Sequence, residues 1–212
     1  MNYSKYKSTP HFPFSPQINE DDFIIKSTDI FSDVIISEKR DGENTSMYYN
    51  NKIHARSIDS GNHPSRSWVK ALYSRIKYYI PEGIVLRGEN LYAKHSIMYN
   101  DLTSYFEIFQ IQKYDTVLSW NNTVEIISEI NLKSGENLIT VPILYNGNYS
   151  KETVLNIIKN LDLNTQEGIV VRNSAEFPVN QFEFNVAKWV RKNHVQTSEH
   201  WMNSEVIPNK LK

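Results

Sequence analysis

The residues with the clearest chemical potential lie in the stretch Glu38–Asn44, where a lysine is followed at once by a turn. Lys39 ends a run with strand composition, and Asp41-Gly42 is a turn signal. A lysine amine acts as a nucleophile when burial or neighbouring cations lower its pKa from about 10.4. The same stretch is also typical of a polar hairpin tip with solvated charges, and these few letters leave both interpretations open.

Further short motifs follow this stretch in order along the chain. They are Arg56, Arg87-Gly88-Glu89-Asn90, Tyr105-Phe106-Glu107-Ile108-Phe109, Glu167-Gly168-Ile169-Val170-Val171-Arg172 and Lys188-Trp189-Val190-Arg191. Together with the lysine stretch, the series resembles the covalent nucleotidyltransferases, the superfamily of ATP-dependent DNA ligases, RNA ligases and mRNA capping enzymes. The resemblance spans about residues 31–191. Several motifs in their usual order are far more specific than any one of them.

The resemblance implies a role for four of these residues in making an enzyme adenylate. Lys39 would attack the α-phosphate of ATP, giving AMP covalently bound to the lysine and releasing pyrophosphate. Glu89 would hold the ribose hydroxyls, Glu167 would position Mg²⁺ or Mn²⁺, and Phe109 would stack on the adenine ring. Oxygen ligands suit such a cation, and phosphoryl transfer needs its charge. Outside the series, the two acids would be typical of exposed strand-flanking residues and Phe109 of a core aromatic.

The same resemblance implies roles for four more residues. Lys188 would contact the α-phosphate, and Arg56 would contact a phosphate or the RNA end. Asn44 would serve the ligation steps. Glu38 would accept a hydrogen bond from the adenine amine and so favour ATP over GTP. For the two cations the physical basis is the pairing of a positive side chain with phosphate.

The overall charge allows only a local surface for nucleic acid. Lys and Arg number 23 against 24 Asp and Glu, which gives a formal net charge of −1. Arg56, His95, Arg191 and Lys192 are the candidate nucleic-acid contacts. Basic residues near the first helix and the last motif are equally typical of solvated faces, and His95 is equally typical of a polar loop.

Two positions depart from the superfamily pattern. The last motif usually reads Lys-x-Lys, but Val190 occupies its second cationic position, so Arg191 or Lys192 must supply that charge or it is absent. Many relatives carry Asp after the motif aromatic, where this chain has Gln110. We expect adenylation to survive both changes, whereas the efficiency of end joining stays open.

The elements that must position these residues are strands and helices interspersed along the chain. Strands are predicted over residues 32–38, 45–49, 52–56, 83–92, 105–112, 168–173 and 182–191, and helices over 65–80, 121–130 and 150–161. Because strands outnumber helices, we predict an α+β fold of mostly antiparallel sheets flanked by helices. The resemblance implies the nucleotidyltransferase fold, an ATP-grasp-like ligase adenylation domain.

The predicted organisation is one adenylyltransferase domain with two short flanks. Residues 1–30 form a Pro-punctuated lead-in packed on the domain, residues 31–192 the domain, and residues 193–212 a tail. About twenty residues are too few for the oligonucleotide-binding barrel of DNA ligases and capping enzymes. The segment Arg87–Ile97 and the tail sequence Asn193-His194-Val195…His200-Trp201 are similar to RNA ligase family proteins, so a stand-alone RNA ligase is implied.

The predicted function is an ATP-dependent RNA ligase that joins 3′-OH and 5′-phosphate ends through lysyl-AMP and an adenylated 5′ end. A catalytically impaired nucleic-acid-binding relative, a DNA-end ligase and adenylation of another acceptor remain open. The absence of cysteine excludes disulfides, and no apolar run reaches the ~18 residues of a membrane span. We expect a cytoplasmic bacterial or viral protein, monomeric, acting on RNA ends or a nicked duplex beside a separate end-healing enzyme.

Overall fold

The computed structural model describes residues 3–16, 18, 20, 22–192 and 205–212. Eleven strands lie in these residues: β1 (Asp33–Lys39), β2 (Glu43–Tyr48), β3 (Ile53–His54), β4 (Ile84–Asn90), β5 (Phe106–Lys113), β6 (Thr116–Val117), β7 (Ile139–Thr140), β8 (Ile143–Asn148), β9 (Gly168–Asn173), β10 (Phe177–Pro178) and β11 (Val186–Val190). Four α-helices accompany them: α1 (Ser67–Ile76), α2 (Trp120–Ser134), α3 (Lys151–Lys159) and α4 (Phe182–Asn185). The predicted α+β class is confirmed.

The strands form two sheets that meet at the lysine stretch. The smaller sheet has the order β11-β9-β1-β8 and is antiparallel throughout. The larger sheet has the order β10-β6-β5-β4-β2-β3, with β7 added in parallel to β5. Since β1 belongs to the smaller sheet and β2 to the larger one, residues 40–42 are a crossover between sheets. The hairpin-tip interpretation of this stretch is therefore wrong.

Each sheet packs one face on helices. In the larger sheet, apolar residues of β2, β4 and β5 meet α1 and α2 in a cluster that includes Met47, Leu86, Phe106, Ile108, Ile111, Leu72, Ile76, Ile127 and Ile130. The smaller sheet packs Ile36, Val171 and Trp189 against Val154 of α3 and Phe12 of the lead-in. In α1, buried Val69, Leu72, Tyr73 and Ile76 recur at helical spacing, so its apolar stripe faces the sheet. The cleft described below is lined by residues of both sheets.

The predicted final strand is wrong in its first half. Residues 182–185 form α4, and only Val186–Val190 is extended. The amide of Asn185 closes this helical turn by donating to Gln181 O at 2.9 Å, and its oxygen accepts from Asn173 Nδ2 at 2.7 Å. A second difference is β8, which was not predicted because Asn146, Gly147 and Asn148 are poor strand residues. Residues 143–148 are extended because they pair with β1.

Both flanks contact the domain where they are described. Residues 10–12 hydrogen-bond to the backbone of Lys188 and so lie beside β11. Residues 205–212 pack on residues 91–105, with the buried Asn209 bonded to Leu91 O and Tyr99 N–H. The tail residues 193–204, which carry the His194 and His200 motif, lie outside the described residues. Within the described part of the chain, no helix is both long enough and apolar enough to cross a membrane.

The close approach of β9 to β11 yields a prediction about stability. A Cβ at Gly168 would overlap the backbone carbonyl of Trp189, and backbone atoms cannot turn aside as a flexible side chain can. We expect Gly168→Ala to destabilise the fold by about 1–3 kcal/mol, measured by urea denaturation. Gly61 has no atom within 4 Å of an added Cβ. Gly61→Ala should therefore stay within about 0.5 kcal/mol of wild type, and equal effects of the two variants would contradict this account.

Candidate active site

One cleft of about 870 Å³ brings residues of both sheets and the lead-in together. This volume is typical of a small-molecule site. Eight of the residues predicted from the sequence line it: Glu38, Lys39, Asn44, Arg56, Glu89, His95, Phe109 and Lys188. Residues of the lead-in also line the cleft, namely Lys5–Thr9, Asp22 and Phe23, and the sequence did not predict their presence there.

Strand register brings Lys39 and Glu167 together. Lys39 is the last residue of β1 and lies opposite Gly168, the first residue of β9, so the residue before β9 reaches the same edge. The Lys39 Nζ lies 2.6 Å from Glu167 Oε1. The Glu167 side chain is 2% exposed, whereas Lys39 is 27% exposed and lines the cleft. A buried carboxylate thus holds an ammonium group at the cleft surface.

The acids around Lys39 determine its charge. Burial lowers the pKa of Lys39, but the negative charges of Glu167, Glu89 and Asp41 outweigh it, and the pKa lies above its ordinary value. The expectation of a lowered lysine pKa is therefore wrong for the protein without nucleotide. Burial raises the pKa of Glu167 to about 7 and that of Glu89 to about 8, with Lys39 opposing both shifts. The two acids are not the exposed strand-flanking residues of the simpler interpretation.

Glu89 is placed by the crossover between the sheets. It lies opposite Asn44 in the pairing of β2 with β4. The backbone N–H of Gly42 donates to its carboxylate. A Cβ at Gly42 would lie 2.5 Å from Asn90 O and 3.0 Å from Glu89 Cγ. Glycine is required here because the turn passes so close to β4.

A β-bulge turns two consecutive side chains toward the cleft. Gln110 pairs with Arg87 and Ile108 with Gly88, so Phe109 is the additional residue between them. As a result, Ile108 and Ile111 face the helical core while Phe109 and Gln110 line the cleft. Phe109 is half-buried rather than a core residue. Tyr6 of the lead-in packs edge-on against it, with ring centroids 5.1 Å apart.

Lys188 lies on the same face of the smaller sheet as Lys39. It pairs with Val170 in β9, while Val190 pairs with Gly168. Burial lowers the pKa of Lys188, and the charge of Lys39 lowers it further. The side chain of Val190 is buried, and neither Arg191 nor Lys192 lines the cleft. Arg191 instead donates its backbone N–H to Glu167 O at 2.9 Å, and Lys192 is exposed.

Three further predicted residues have distinct surroundings in the cleft. Asn44 Oδ1 is buried and accepts no hydrogen bond from the described residues. Glu38 accepts from Arg40 Nη1 at 2.7 Å and from Gln166 Nε2 at 2.9 Å, so both of its oxygens already have donors. Arg56 is tethered to the lead-in, because its Nη2 donates to Ser8 Oγ at 3.1 Å. A ligand could use the unpaired acceptor on Asn44 directly, whereas at Glu38 it would share an oxygen.

Two residues that hold the crossover were not predicted from the sequence. Arg40 donates to Glu107 at 2.7 and 3.1 Å and to Glu38 at 2.7 Å, which ties β1 to β5. Asp41 Oδ2 accepts from the backbone N–H groups of Ser96 and Ile97, at 2.8 and 2.7 Å. Arg40 and Asp41 lie within the lysine stretch, and Glu107 lies in a quoted motif. Their burial among charged partners could not be inferred before the sheets were known.

The donor set fits a hydrated magnesium or manganese ion better than a preformed protein cage. Among the described residues, no group of three or more His, Cys, Asp or Glu side chains could hold a metal. Near Lys39 the structure offers the carboxylates of Glu167 and Glu89. Mg²⁺ is commonly held by one or two carboxylates, with waters and substrate phosphates completing its coordination. Glu167, the carboxylate in contact with Lys39, fits that requirement.

The comparison with protein families decides the assignment. A family model described as RNA ligase matches residues 32–190. The chain belongs to the RNA ligase family. The match begins just before β1 and ends at the last residue of β11, so it includes both sheets and the lysine stretch. The family assignment made from the motif series is thus confirmed.

Solved structures of RNA ligases share the fold at low identity. A Naegleria gruberi RNA ligase with ATP and Mn has a TM-score of 0.59 and 15% identity over 92% of this chain and 58% of that chain. An archaeal ATP-dependent RNA ligase has a TM-score of 0.60 and 14% identity, covering 89% of this chain and 48% of that one. The Naegleria enzyme with PPi has a TM-score of 0.56 and 18% identity, at 78% and 51% coverage. This chain therefore spans about half the length of these structures. No curated protein matches it.

The raised pKa of Glu89 predicts a pH dependence of stability in this RNA ligase family member. Its folded pKa of about 8 exceeds the ordinary 4.5, so the folded protein holds a proton that the unfolded chain releases. This stabilisation is present at low pH and is lost as the pH rises through about 8. We expect Glu89→Gln to lose less stability than wild type between about pH 5 and pH 8, measured by urea denaturation in EDTA.

The matched control is Glu125→Gln on the exposed face of α2. It should keep the wild-type slope of stability against pH. If Glu89→Gln also keeps that slope, the carboxyl group is ionised across this range and the stated shift is wrong.

Proposed function

We propose that this protein is an ATP-dependent RNA ligase that becomes adenylated on Lys39 and joins a 3′-OH to a 5′-phosphate. The observation that carries the proposal is the Lys39–Glu167 pair, at 2.6 Å, in a cleft also lined by Glu89, Phe109 and Lys188. A lysine, two acids, an aromatic ring and a second cation are what lysyl-AMP formation requires. Membership of the RNA ligase family supports RNA as the substrate.

In the first step, Lys39 Nζ forms a bond to the α-phosphorus of ATP. The bond between that phosphorus and the bridging oxygen of the β-phosphate breaks, pyrophosphate leaves, and the amine loses a proton. Lys188 lies on the same sheet face as Lys39, where its ammonium can contact an α-phosphate oxygen and stabilise the charge that develops there. A divalent cation bound at Glu167 supplies further positive charge to the phosphates.

Lys39 must be neutral when it attacks, although the acids keep it protonated before ATP binds. Loss of the Glu167 contact removes the main cause of the raised pKa. Burial, the largest influence on the pKa of Lys39, then lowers it against the remaining negative charges of Glu89 and Asp41. We infer that ATP binding, by separating Lys39 from Glu167, activates the nucleophile, and that the ion pair holds Lys39 in place until then.

The larger sheet orients the nucleoside. The bulge presents Phe109 to the cleft, where its ring can stack on adenine. Glu89, whose carboxylate accepts from the Gly42 N–H, can accept hydrogen bonds from the ribose hydroxyls. Glu38 can share an oxygen with the adenine amine while Arg40 and Gln166 hold its carboxylate in place. These contacts align the α-phosphate with the lysine.

In the two later steps, AMP is transferred to the 5′-phosphate and the RNA ends are joined in the same cleft. A 5′-phosphate oxygen of RNA attacks the lysyl-AMP, releasing Lys39, and the 3′-OH then attacks the adenylated end with loss of AMP. Arg56 and His95 line the cleft and are proposed to contact RNA phosphates. Asn44 offers a buried acceptor for a hydroxyl of the ends. Arg191 and Lys192 lie farther along the same chain segment and would extend this contact.

Related structures support the cofactor part of the proposal. The Naegleria gruberi RNA ligase was solved with ATP and Mn and with AMP and Mn. We propose ATP and Mg²⁺ or Mn²⁺ for this protein as well. Action as a cytoplasmic monomer, on RNA ends prepared by a separate end-healing enzyme, is part of the same proposal.

The nucleophile is tested by covalent labelling. Wild type incubated with α-labelled ATP and Mg²⁺ or Mn²⁺ should retain label on a denaturing gel, whereas Lys39→Ala should lose it by more than about a hundredfold. Lys159→Ala, at an exposed lysine at the end of α3, is the matched control and should label normally. Absence of label on folded wild type, after removal of pre-bound AMP, would overturn the proposal.

The acceptor is tested with the adenylated protein. Adding nicked RNA duplex, single-stranded RNA or nicked DNA, each with a 5′-phosphate, should discharge the label into RNA in preference to DNA. Preferred discharge into DNA would instead identify a DNA-end ligase. Label that persists with every nucleic acid would indicate a different acceptor.

The proposed stacking of Phe109 on adenine is tested by substituting that residue. Phe109→Ala removes the ring and should raise the KM for ATP about fivefold or more, since stacking of a base on an aromatic is worth about 1–3 kcal/mol. Phe109→Tyr keeps the ring face and should restore most of the affinity. An unchanged KM in Phe109→Ala would show that the base binds elsewhere.

A further inference from the structure

The lead-in extends the smaller sheet on the side of Lys188. Residues 10–12 bond to both backbone groups of Lys188, each at 2.8 Å. On their other side, His11 N–H donates to Phe23 O at 2.6 Å and Ile25 N–H donates to His11 O at 2.9 Å. Backbone hydrogen bonds therefore fix the chain around Phe23, and residues 10–12 lie between it and Lys188. Phe23 also lines the cleft.

These bonds place the carboxylate of Asp22 beside the Lys188 ammonium. Asp22 Oδ1 lies 3.8 Å from Lys188 Nζ and 3.4 Å from His11 Nε2, and its side chain is 24% exposed. Burial, followed by the charge of Lys188, lowers the pKa of His11 to about 4. The imidazole is thus neutral at physiological pH, and within this group the ion pair of Asp22 is with the lysine.

Lys188 needs a partner because other cations surround it. Lys39 and Arg56 both act on it with positive charge. The carboxylate of Glu167 is paired with Lys39. In the described part of the chain, Asp22 is the one acid in ion-pair contact with Lys188. Without that contact, repulsion would favour conformations in which the flexible lysine turns away from the cleft.

We propose that Asp22 is a positioning residue for adenylation, whose carboxylate holds the Lys188 ammonium in the cleft where the α-phosphate of ATP binds. The inference rests on the proposed function, since it assigns Lys188 to that phosphate. At 3.8 Å the contact is an ion pair and not a hydrogen bond, so Lys188 can keep Asp22 nearby while its ammonium donates to a phosphate oxygen. Asp22 acts only through Lys188.

The direction in which removal of the Asp22 charge changes ATP affinity distinguishes positioning of Lys188 from simple repulsion between Asp22 and ATP. ATP is a polyanion, so removal of an uninvolved acid from the cleft should strengthen its binding. If Asp22 positions Lys188, its removal should weaken binding instead. Asp22→Asn keeps the size of the side chain and removes its charge.

The experiment measures ATP affinity by calorimetry and the rate of lysyl-AMP formation at saturating ATP. Asp22→Asn should weaken ATP binding and slow adenylation roughly tenfold, and Asp22→Glu should recover part of both. Asp29→Asn, an exposed aspartate of the same lead-in, is the charge-matched control and should match wild type. In a Lys188→Met protein, Asp22→Asn should leave ATP affinity unchanged or stronger. Melting temperatures check that each variant is folded.

Each outcome decides the proposal. Unchanged or stronger ATP binding in Asp22→Asn overturns it. If Asp22→Asn weakens ATP binding equally in wild type and in the Lys188→Met protein, Asp22 acts on the fold or on ATP itself, and the proposal is also overturned. If wild type takes up label and Asp22→Asn takes it up at the same rate, the positioning role is overturned and the proposed function stands. A folded wild type that takes no label overturns both.

Discussion

The pairing of Lys39 with Glu167 is the interaction on which the site depends. It joins the end of β1 to the start of β9 and places an ammonium group between two sheets. A buried ion pair contributes little net stability, because desolvation offsets much of the attraction between the charges. Its value here is geometric. The carboxylate keeps the lysine at the cleft surface, and the strand register fixes where that point lies.

The crossover at residues 40–42 sets the relation between the two sheets. Arg40 links β1 to β5 through Glu107, and Asp41 is bonded to the backbone of Ser96 and Ile97. Gly42 lets the chain pass against β4. Three consecutive residues therefore tie Lys39 of one sheet to Glu89 and Phe109 of the other. A short charged segment that resembles a solvated turn is in fact among the most constrained parts of the chain.

The sequence predicted the fold class, most elements and eight of the residues that line the cleft. It succeeded where a pattern is local, as in the apolar stripe of α1 or the Gly-containing lysine stretch. It failed where partners are remote: β8 is a strand because of β1, residues 182–185 are helical because of side-chain bonds at Asn185, and the lysine pKa depends on acids from other elements. The lead-in is the largest omission, since its polar, proline-punctuated composition gives no sign that it lines the cleft.

The sheet order also bears on how the chain acquires its structure. β1 lies near the N-terminus but pairs with β9, and residues 10–12 pair with β11, so the smaller sheet is held together by contacts between the two ends of the sequence. Such non-local pairing slows folding, because a long loop must close before the contacts form. During synthesis, strands β2 to β7 of the larger sheet are made before β8 and β9, the partner strands of β1. Lys39 is therefore synthesised early, and the cleft around it can form only after β11, which carries Lys188, has also been synthesised.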